Sequence, residues 1–362
     1  MFSRPITRVM TSALCVLAIG ARSAGEEAEK KAENEAVSTL KARETIEGGL
    51  TFLEKDALAW RKEHQCATCH HGTMTIWALS EAKSRGYAVK PETLADVAEW
   101  TRERLKGIDK PRDTRPGWKM VNTPALYLAM MAQAVPRQEA VSIEELRRIA
   151  GHLMRHQETD GSWAWSSAPP GNRPPPHFES DEVATLLGYM ALGPQVPADS
   201  MVPSEARKSR ARAAAWLGKS KPTDTAQAAG LRLLVKVREG EPVEVLRLEI
   251  DRFLGRQNKD GGWGQLRDLP SDAYATGQAL YVLGQAGVPT DRAEVRRGVG
   301  FLVASQRPDG SWPMKSRAHP GAKPFTNPVP ITYFGSAWAT LGLMRSVRPP
   351  VEVATIPSCR GE

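Results

Sequence analysis

One phrase recurs three times along this chain, as Gln157-Glu-Thr-Asp160-Gly161-Ser162-Trp163, Gln257-Asn-Lys-Asp260-Gly261-Gly262-Trp263 and Gln306-Arg-Pro-Asp309-Gly310-Ser311-Trp312. Self-similarity of this kind marks a stack of small structural units, each unable to bury its apolar face alone. The first interval is about twice the second, so a unit with a degraded phrase belongs between them, and Trp216 to Asp224 supplies it. The period is therefore about fifty residues. Within each phrase the Asp-Gly pair ends a helix, because glycine takes the left-handed conformation and aspartate hydrogen-bonds its own turn. The tryptophan is left to pack over the junction.

Each phrase is preceded by one helix and followed by another of a different kind. The leading helix is amphipathic, as Val245, Leu246, Leu248, Ile250, Phe253 and Leu254 illustrate. The trailing segments, beginning at Ser180, Thr223, Ser271 and Thr332, are apolar or small nearly all round. Such a helix is buried on every side, and its Ala and Gly let neighbouring backbones approach. Segments at Asn122 and His71 match this inner type, each after an outer candidate, Leu94 to Leu105 and Leu50 to Trp60 respectively. About six outer-inner pairs close a ring, which predicts an all-α (α/α)6 toroid of two concentric layers over residues 42–347. Residues 1–24 read as a signal peptide, 25–41 as a charged lead-in and 348–362 as a tail.

The signal-peptide expectation rests on Arg4 and Arg8 before an apolar run from Thr11 to Gly20, with Ala21, Ser23 and Ala24 after it. It places the chain in the periplasm or outside the cell. No later stretch has the ~20 apolar residues of a membrane span. The formal charge of +8 comes from 49 basic and 41 acidic residues spread along helices. Basic residues do not cluster with aromatics, which argues against a nucleic-acid partner.

The Q-x-x-D-G-[SG]-W phrases resemble the QW motifs of squalene-hopene cyclases and other members of the terpene cyclase and prenyltransferase superfamily, over roughly residues 42–346. The resemblance implies the toroid. Squalene-hopene cyclases carry two helical domains where this chain has room for one. Prenyltransferase β-subunits bring an Asp-x-Cys zinc ligand pair that this sequence lacks. Glu179-Ser180-Asp181-Glu182-Val183-Ala184 resembles the Asp-x-Asp-Asp-Thr-Ala proton-donor motif of the cyclases. That match implies Asp181 as the acid, with Glu179 and Glu182 in place of the flanking aspartates. Packed carboxylates raise one another's pKa, which would keep such an acid protonated. The other reading makes Ser180 a helix cap and places Asp181 and Glu182 at the positive helix end, with Asp224 and Asp272 equivalent in other repeats.

Long Pro- and Gly-rich connections run from outer to inner helices, at Gly107 to Trp118, Ser166 to Phe178 and Lys315 to Pro330. They make the face bearing the inner-helix N-termini the expected working face. Cys66-Ala-Thr-Cys69-His70-His71 falls there too. C-x-x-C-H is the attachment signature of haem c, with Cys66 and Cys69 forming thioethers and His70 ligating iron. His71 adjoins His70 and cannot reach the opposite face of the same iron, so a sixth ligand would come from His177, His319, Met120 or Met314. A zinc site using Cys66, Cys69, His70 and His64 or His71 is the alternative, and a disulfide or redox pair is a third.

Three functional readings follow. The first is a haem-c or metal-carrying toroid with a redox partner. The second is an isoprenoid cyclase or isoprenoid-binding protein using Asp181, with Trp163, Trp165, Tyr274, Tyr333 and Trp338 lining a cavity and stabilising cations. The third is a toroid that binds protein or glycan without chemistry.

Overall fold

The computed structural model describes residues 12–64, 69–110, 121–135, 138–165, 180–193, 202–315, 317 and 328–350, with side chains of the first helix from residue 38. Twelve α-helices and no strand occur among the described residues. The outer helices are α1 (Ser12–His64), α3 (Pro91–Arg102), α5 (Ile143–His156), α7 (Val202–Lys219), α9 (Val243–Leu254) and α11 (Ala293–Ser305). The inner ones are α2 (Thr75–Ser84), α4 (Thr123–Ala134), α6 (Asp181–Ala191), α8 (Ala226–Arg238), α10 (Ala273–Gln285) and α12 (Val329–Ser346). Each inner helix packs on the next, α4 on α6, α6 on α8, α8 on α10, α10 on α12 and α12 on α2, with the π-helical turn Cys69–Met74 leading into α2 and meeting α4. The α1 helix packs against α12 and α11, joining the first hairpin to the last and closing the toroid that the repeats predict.

The repeated phrase makes the same bonds each time. Gly161, Gly261 and Gly310 have φ of 98, 90 and 86°, the left-handed geometry the turn requires. Asp160, Asp260 and Asp309 accept from the backbone N–H two residues on at 3.0–3.1 Å. The glutamine closes its own turn, Nε2 donating to the Gly161, Gly261 or Gly310 carbonyl, and also donates to the following outer helix at Ser209 O, Glu294 O or Thr45 O. The last of these bonds joins the final phrase to α1 and so helps close the ring. Each tryptophan is buried, donates Nε1 to a carbonyl of the preceding outer helix, and donates its backbone N–H to an inner-helix hydroxyl, that of Thr185, Thr276 or Ser336. The phrase is thus a three-way joint between two outer helices and one inner helix.

Trp216, the expected tryptophan of the degraded unit, instead lies on α7 and donates Nε1 to Asp160 at 3.1 Å. Residues 12–64, which include the charged lead-in, form one continuous helix. The inner helices are buried nearly all round, α10 from Ala273 to Leu283 without interruption. Close contact between α10 and α12 depends on Gly277 and Gly342, where a Cβ would collide with the facing backbone.

Candidate active site at the inner-helix rim

The N-terminal ends of the inner helices carry three aspartates, and their surroundings differ. Asp181 is the first residue of α6 and is half-buried, its carbonyl accepting from Thr185 Oγ1 at 2.7 Å. Its expected companion Glu182 is buried and occupied elsewhere, accepting from the Arg232 guanidinium and from Thr223 N–H at 2.6 Å. Glu182 therefore ties α6 to α8 and does not crowd Asp181 with a second free carboxylate. The Ser180 side chain makes no helix cap; its Oγ pairs with Thr223 Oγ1 at 3.1 Å. Glu179 lies outside the described residues.

Asp224 precedes the α8 cap, Thr225, and pairs with Arg256 at 2.5 Å and Arg267 at 3.4 Å. These guanidiniums hold its carboxyl below the usual range.

Asp272 has no such partner at bonding distance. It caps α10, accepting from Ala275 N–H at 2.8 Å, and its second oxygen accepts from Gln265 Nε2 at 2.8 Å. Gln265 in turn accepts from Arg317 Nε at 3.0 Å. Burial outweighs these bonds and pushes the Asp272 carboxyl up to about 6. The carboxyl stands on a cleft of about 460 Å³ bordered by Ser271, Phe301, Met314 and Arg317. Met314, expected as an iron ligand, belongs to this cleft and packs on Gly335 of α12. Asp272, expected as one of the equivalent helix-end aspartates, is set apart by its bond to Gln265 in place of the arginines that pair with Asp224.

Inward from Asp272 runs a set of aromatic rings. Tyr274 meets Phe334 at 6.4 Å between centroids, Phe334 meets Tyr127 at 6.3 Å, and Tyr127 meets Trp77 at 6.2 Å. Trp77, Tyr281 and Trp338 then contact one another at 5.4–5.7 Å. Trp77 Nε1, Trp338 Nε1, Gln227 Oε1 and Gln278 Oε1 are buried with no partner among the described residues. Buried polar atoms without a partner are unusual in a packed core. Of the expected lining residues, Tyr274 and Trp338 belong to this set. Trp163 is the packing residue of its phrase, Trp165 is buried in the core, and Tyr333 faces the histidines.

The other end of the inner ring is closed by charge. Glu81, fully buried, pairs with Arg85 and Arg345 at 2.6 Å each, and Arg345 also donates to Ala134 O at 2.9 Å. Arg238 donates to Gln133 Oε1 at 3.0 Å beside them.

The histidines form a separate group. His71 is buried, its Nε2 lying 2.8 Å from Asp56 Oδ2 and its Nδ1 meeting His70 Nδ1. Burial holds the His71 imidazole below its usual range, opposed by Asp56. Trp60 stacks between His64, at 3.6 Å, and His71, at 4.4 Å, while Tyr333 covers His71 at 3.8 Å. Cys69 begins the π-helical turn. Cys66, His177, His319 and Met120 lie outside the described residues. No group of three or more metal-binding side chains occurs among the described residues.

No family model matches the chain. Among curated proteins it is 37% identical over 87 residues to the squalene–hopene cyclase of Bradyrhizobium diazoefficiens and 29% identical over 99 residues to that of Zymomonas mobilis, covering 21% and 27% of this chain. It is 26% identical over 192 residues, 52% of the chain, to the drimenyl diphosphate synthase of Streptomyces showdoensis. These matches span 13%, 15% and 26% of the relatives, so the chain spans about a quarter or less of the curated proteins it matches. The type II terpene cyclase MstE from Scytonema, solved with geranylgeranyl dihydroxybenzoate, superposes with a TM-score of 0.52 at 16% identity, covering 86% of this chain and 98% of that one. The chain shares its helical toroid fold with that terpene cyclase. No described helix is long and apolar enough to cross a membrane.

Proposed function

We propose that this chain is an isoprenoid-binding, terpene-cyclase-like protein that protonates a polyene at the inner-helix rim. The observation that carries this reading is Asp272, a carboxyl lifted by burial to about 6, standing on a cleft of about 460 Å³ two residues before Tyr274, where the set of contacting aromatic rings begins. A carboxylic acid passes its proton to an alkene carbon and leaves a carbocation, and aromatic faces stabilise that cation without capturing it. The partial similarity to squalene–hopene cyclases and drimenyl diphosphate synthase favours an isoprenoid over a glycan or protein ligand. The order of charged, apolar and small residues over positions 1–24 supports export.

Asp181 is the rival acid by its resemblance to the cyclase motif. Turnover of squalene and shorter polyprenes by the wild type, Asp272→Asn and Asp181→Asn separates them: loss in Asp272→Asn alone supports this assignment, and loss in Asp181→Asn alone moves it.

A further inference from the structure

We infer that Lys315 and Arg317 form a subsite for the anionic head of an isoprenoid on the Asp272 cleft, and that a head held there draws a proton onto Asp272. The inference rests on the isoprenoid function proposed above and adds the second chemical feature of the ligand. The third copy of the repeated phrase ends at Trp312, and the chain then crosses the rim. Met314 N–H donates to Thr332 Oγ1 of α12 at 3.2 Å, and the buried Met314 side chain packs on Gly335. That anchor sets Lys315 and Arg317 on the border of the same cleft of about 460 Å³ as Asp272. Leu269, Pro270, Phe301 and Trp312 give the border its apolar part. Apolar walls with a few convergent polar groups are the usual make-up of a small-molecule site.

Among the described residues the charged groups on this border are Asp272, Lys315 and Arg317. Asp260 stands behind it, accepting from Ser271 Oγ at 2.7 Å. Two cations thus face one acid, and the cleft keeps an excess of positive charge in either protonation state of Asp272. Lys315 is exposed and Arg317 half-buried, so a ligand entering from solvent reaches both. A guanidinium pairs with a carboxylate or phosphate through its planar fork, and an ammonium adds a point charge.

The coupling to the acid runs through one neutral side chain. Arg317 Nε donates to Gln265 Oε1 at 3.0 Å, and Gln265 Nε2 donates to Asp272 Oδ2 at 2.8 Å. The Arg317 charge favours the ionised Asp272 carboxyl and opposes the desolvation that favours the protonated one. An anion on Arg317 offsets that charge and adds its own repulsion, so both changes favour protonated Asp272. The proton comes from solvent and adds to a carboxylate oxygen, and no bond of the ligand changes in this step. Linkage makes the effect reciprocal: a head that raises proton binding at Asp272 is itself held more tightly by the protonated chain. A polyene with such a head therefore recruits the proton that its own cyclisation consumes.

The test is titration calorimetry of the full chain near neutral pH with farnesoic acid, farnesol and acetate, in buffers of different ionisation enthalpy so that protons taken up are counted. Farnesoate is expected to bind at least about tenfold tighter than farnesol, the size of one charge-assisted hydrogen bond, and acetate far more weakly than either. Uptake is expected to approach one proton per farnesoate in the wild type and to vanish in Asp272→Asn. Arg317→Gln is expected to lower farnesoate affinity toward that of farnesol and to abolish uptake with far-ultraviolet helicity intact, and Arg317→Lys to restore both in part. Farnesol or acetate bound as tightly as farnesoate, or no farnesoate bound by a folded wild type, overturns the subsite. Equal uptake in wild type and Asp272→Asn overturns the coupling. Because the readout is proton uptake, a chain that shows it yet cyclises nothing contradicts the proposed activity alone, and a chain that cyclises squalene without it contradicts this inference alone.

Discussion

The two ends of the inner helical ring are built from the same repeats yet do opposite things with charge. At the C-terminal end, Glu81 is fully buried and neutralised by Arg85 and Arg345 at 2.6 Å. At the N-terminal end, Asp272 is half-buried, accepts from Gln265 and from backbone N–H groups with the Arg317 charge nearby, and desolvation still raises its carboxyl to about 6. A buried carboxylate given guanidinium partners locks helices together, whereas one given neutral donors keeps a proton available near neutral pH. The repeat scaffold therefore separates an end whose buried carboxylate is paired with guanidiniums from one whose carboxyl faces neutral donors, without any change of fold.

The largest effect is expected at the closed end. Glu81→Ala leaves two guanidiniums without their carboxylate and should cost about 3–5 kcal/mol, the range for breaking a buried ion pair. Urea denaturation checks this, and a loss below about 1 kcal/mol would show that the end is not held by charge. Trp263→Ala should cost a similar ~3–5 kcal/mol, because the residue is fully buried at a three-way joint.

The pH dependence of stability is the next largest effect. His152 is buried, accepts from Asn122 N–H at 3.0 Å and is pushed down to about 3 by burial and by neighbouring His156. Between pH 6.5 and about 3 the unfolded chain binds a proton there that the folded chain does not. That part of the stability is thus full above pH 6.5 and lost as pH falls. Asp272 works in the opposite direction. From its ordinary value of 3.8 up to about 6 the folded chain keeps a proton that the unfolded chain has released, so its contribution falls as pH rises through that window. Thermal melts of wild type and His152→Gln from pH 4 to 8 should converge toward acid, and parallel curves would contradict the assignment.

At the rim itself, Asp272→Asn should leave stability at pH 7.5 unchanged or raise it, since asparagine also caps a helix and carries no buried charge. Asp181→Asn should cost on the order of 0.5 kcal/mol, the size of a weakened helix-dipole interaction. A larger loss for Asp272→Asn than for Asp181→Asn, by calorimetry, would reverse the contrast drawn between the two.

The fold was legible because the glutamine, aspartate, glycine and tryptophan of each phrase act within a few residues of one another and on the adjacent helices, so local chemistry determines the joint. The ring followed from counting those joints. The long loops from which the working face was expected lie largely outside the described residues. The proposed acid was not legible in the sequence, because Asp181, Asp224 and Asp272 look alike along the chain, while the structure gives Arg256 and Arg267 to one and Gln265 to another. The pairing of Glu182 with Arg232, fifty residues away, was equally hidden. The π-helical turn at Cys69 and the continuity of α1 leave no mark in hydrophobic periodicity.

The central claim is that the rim delivers a proton from Asp272 to a polyene. Its most direct measurement is the pH profile of product formation from squalene and shorter polyprenes, followed by gas chromatography and mass spectrometry with wild type and Asp272→Asn side by side. The account predicts cyclised product that declines as a single proton is lost near pH 6, and none from a fully folded Asp272→Asn. Product from Asp272→Asn at the wild-type rate, or a folded wild type that yields none from any polyprene, would contradict it.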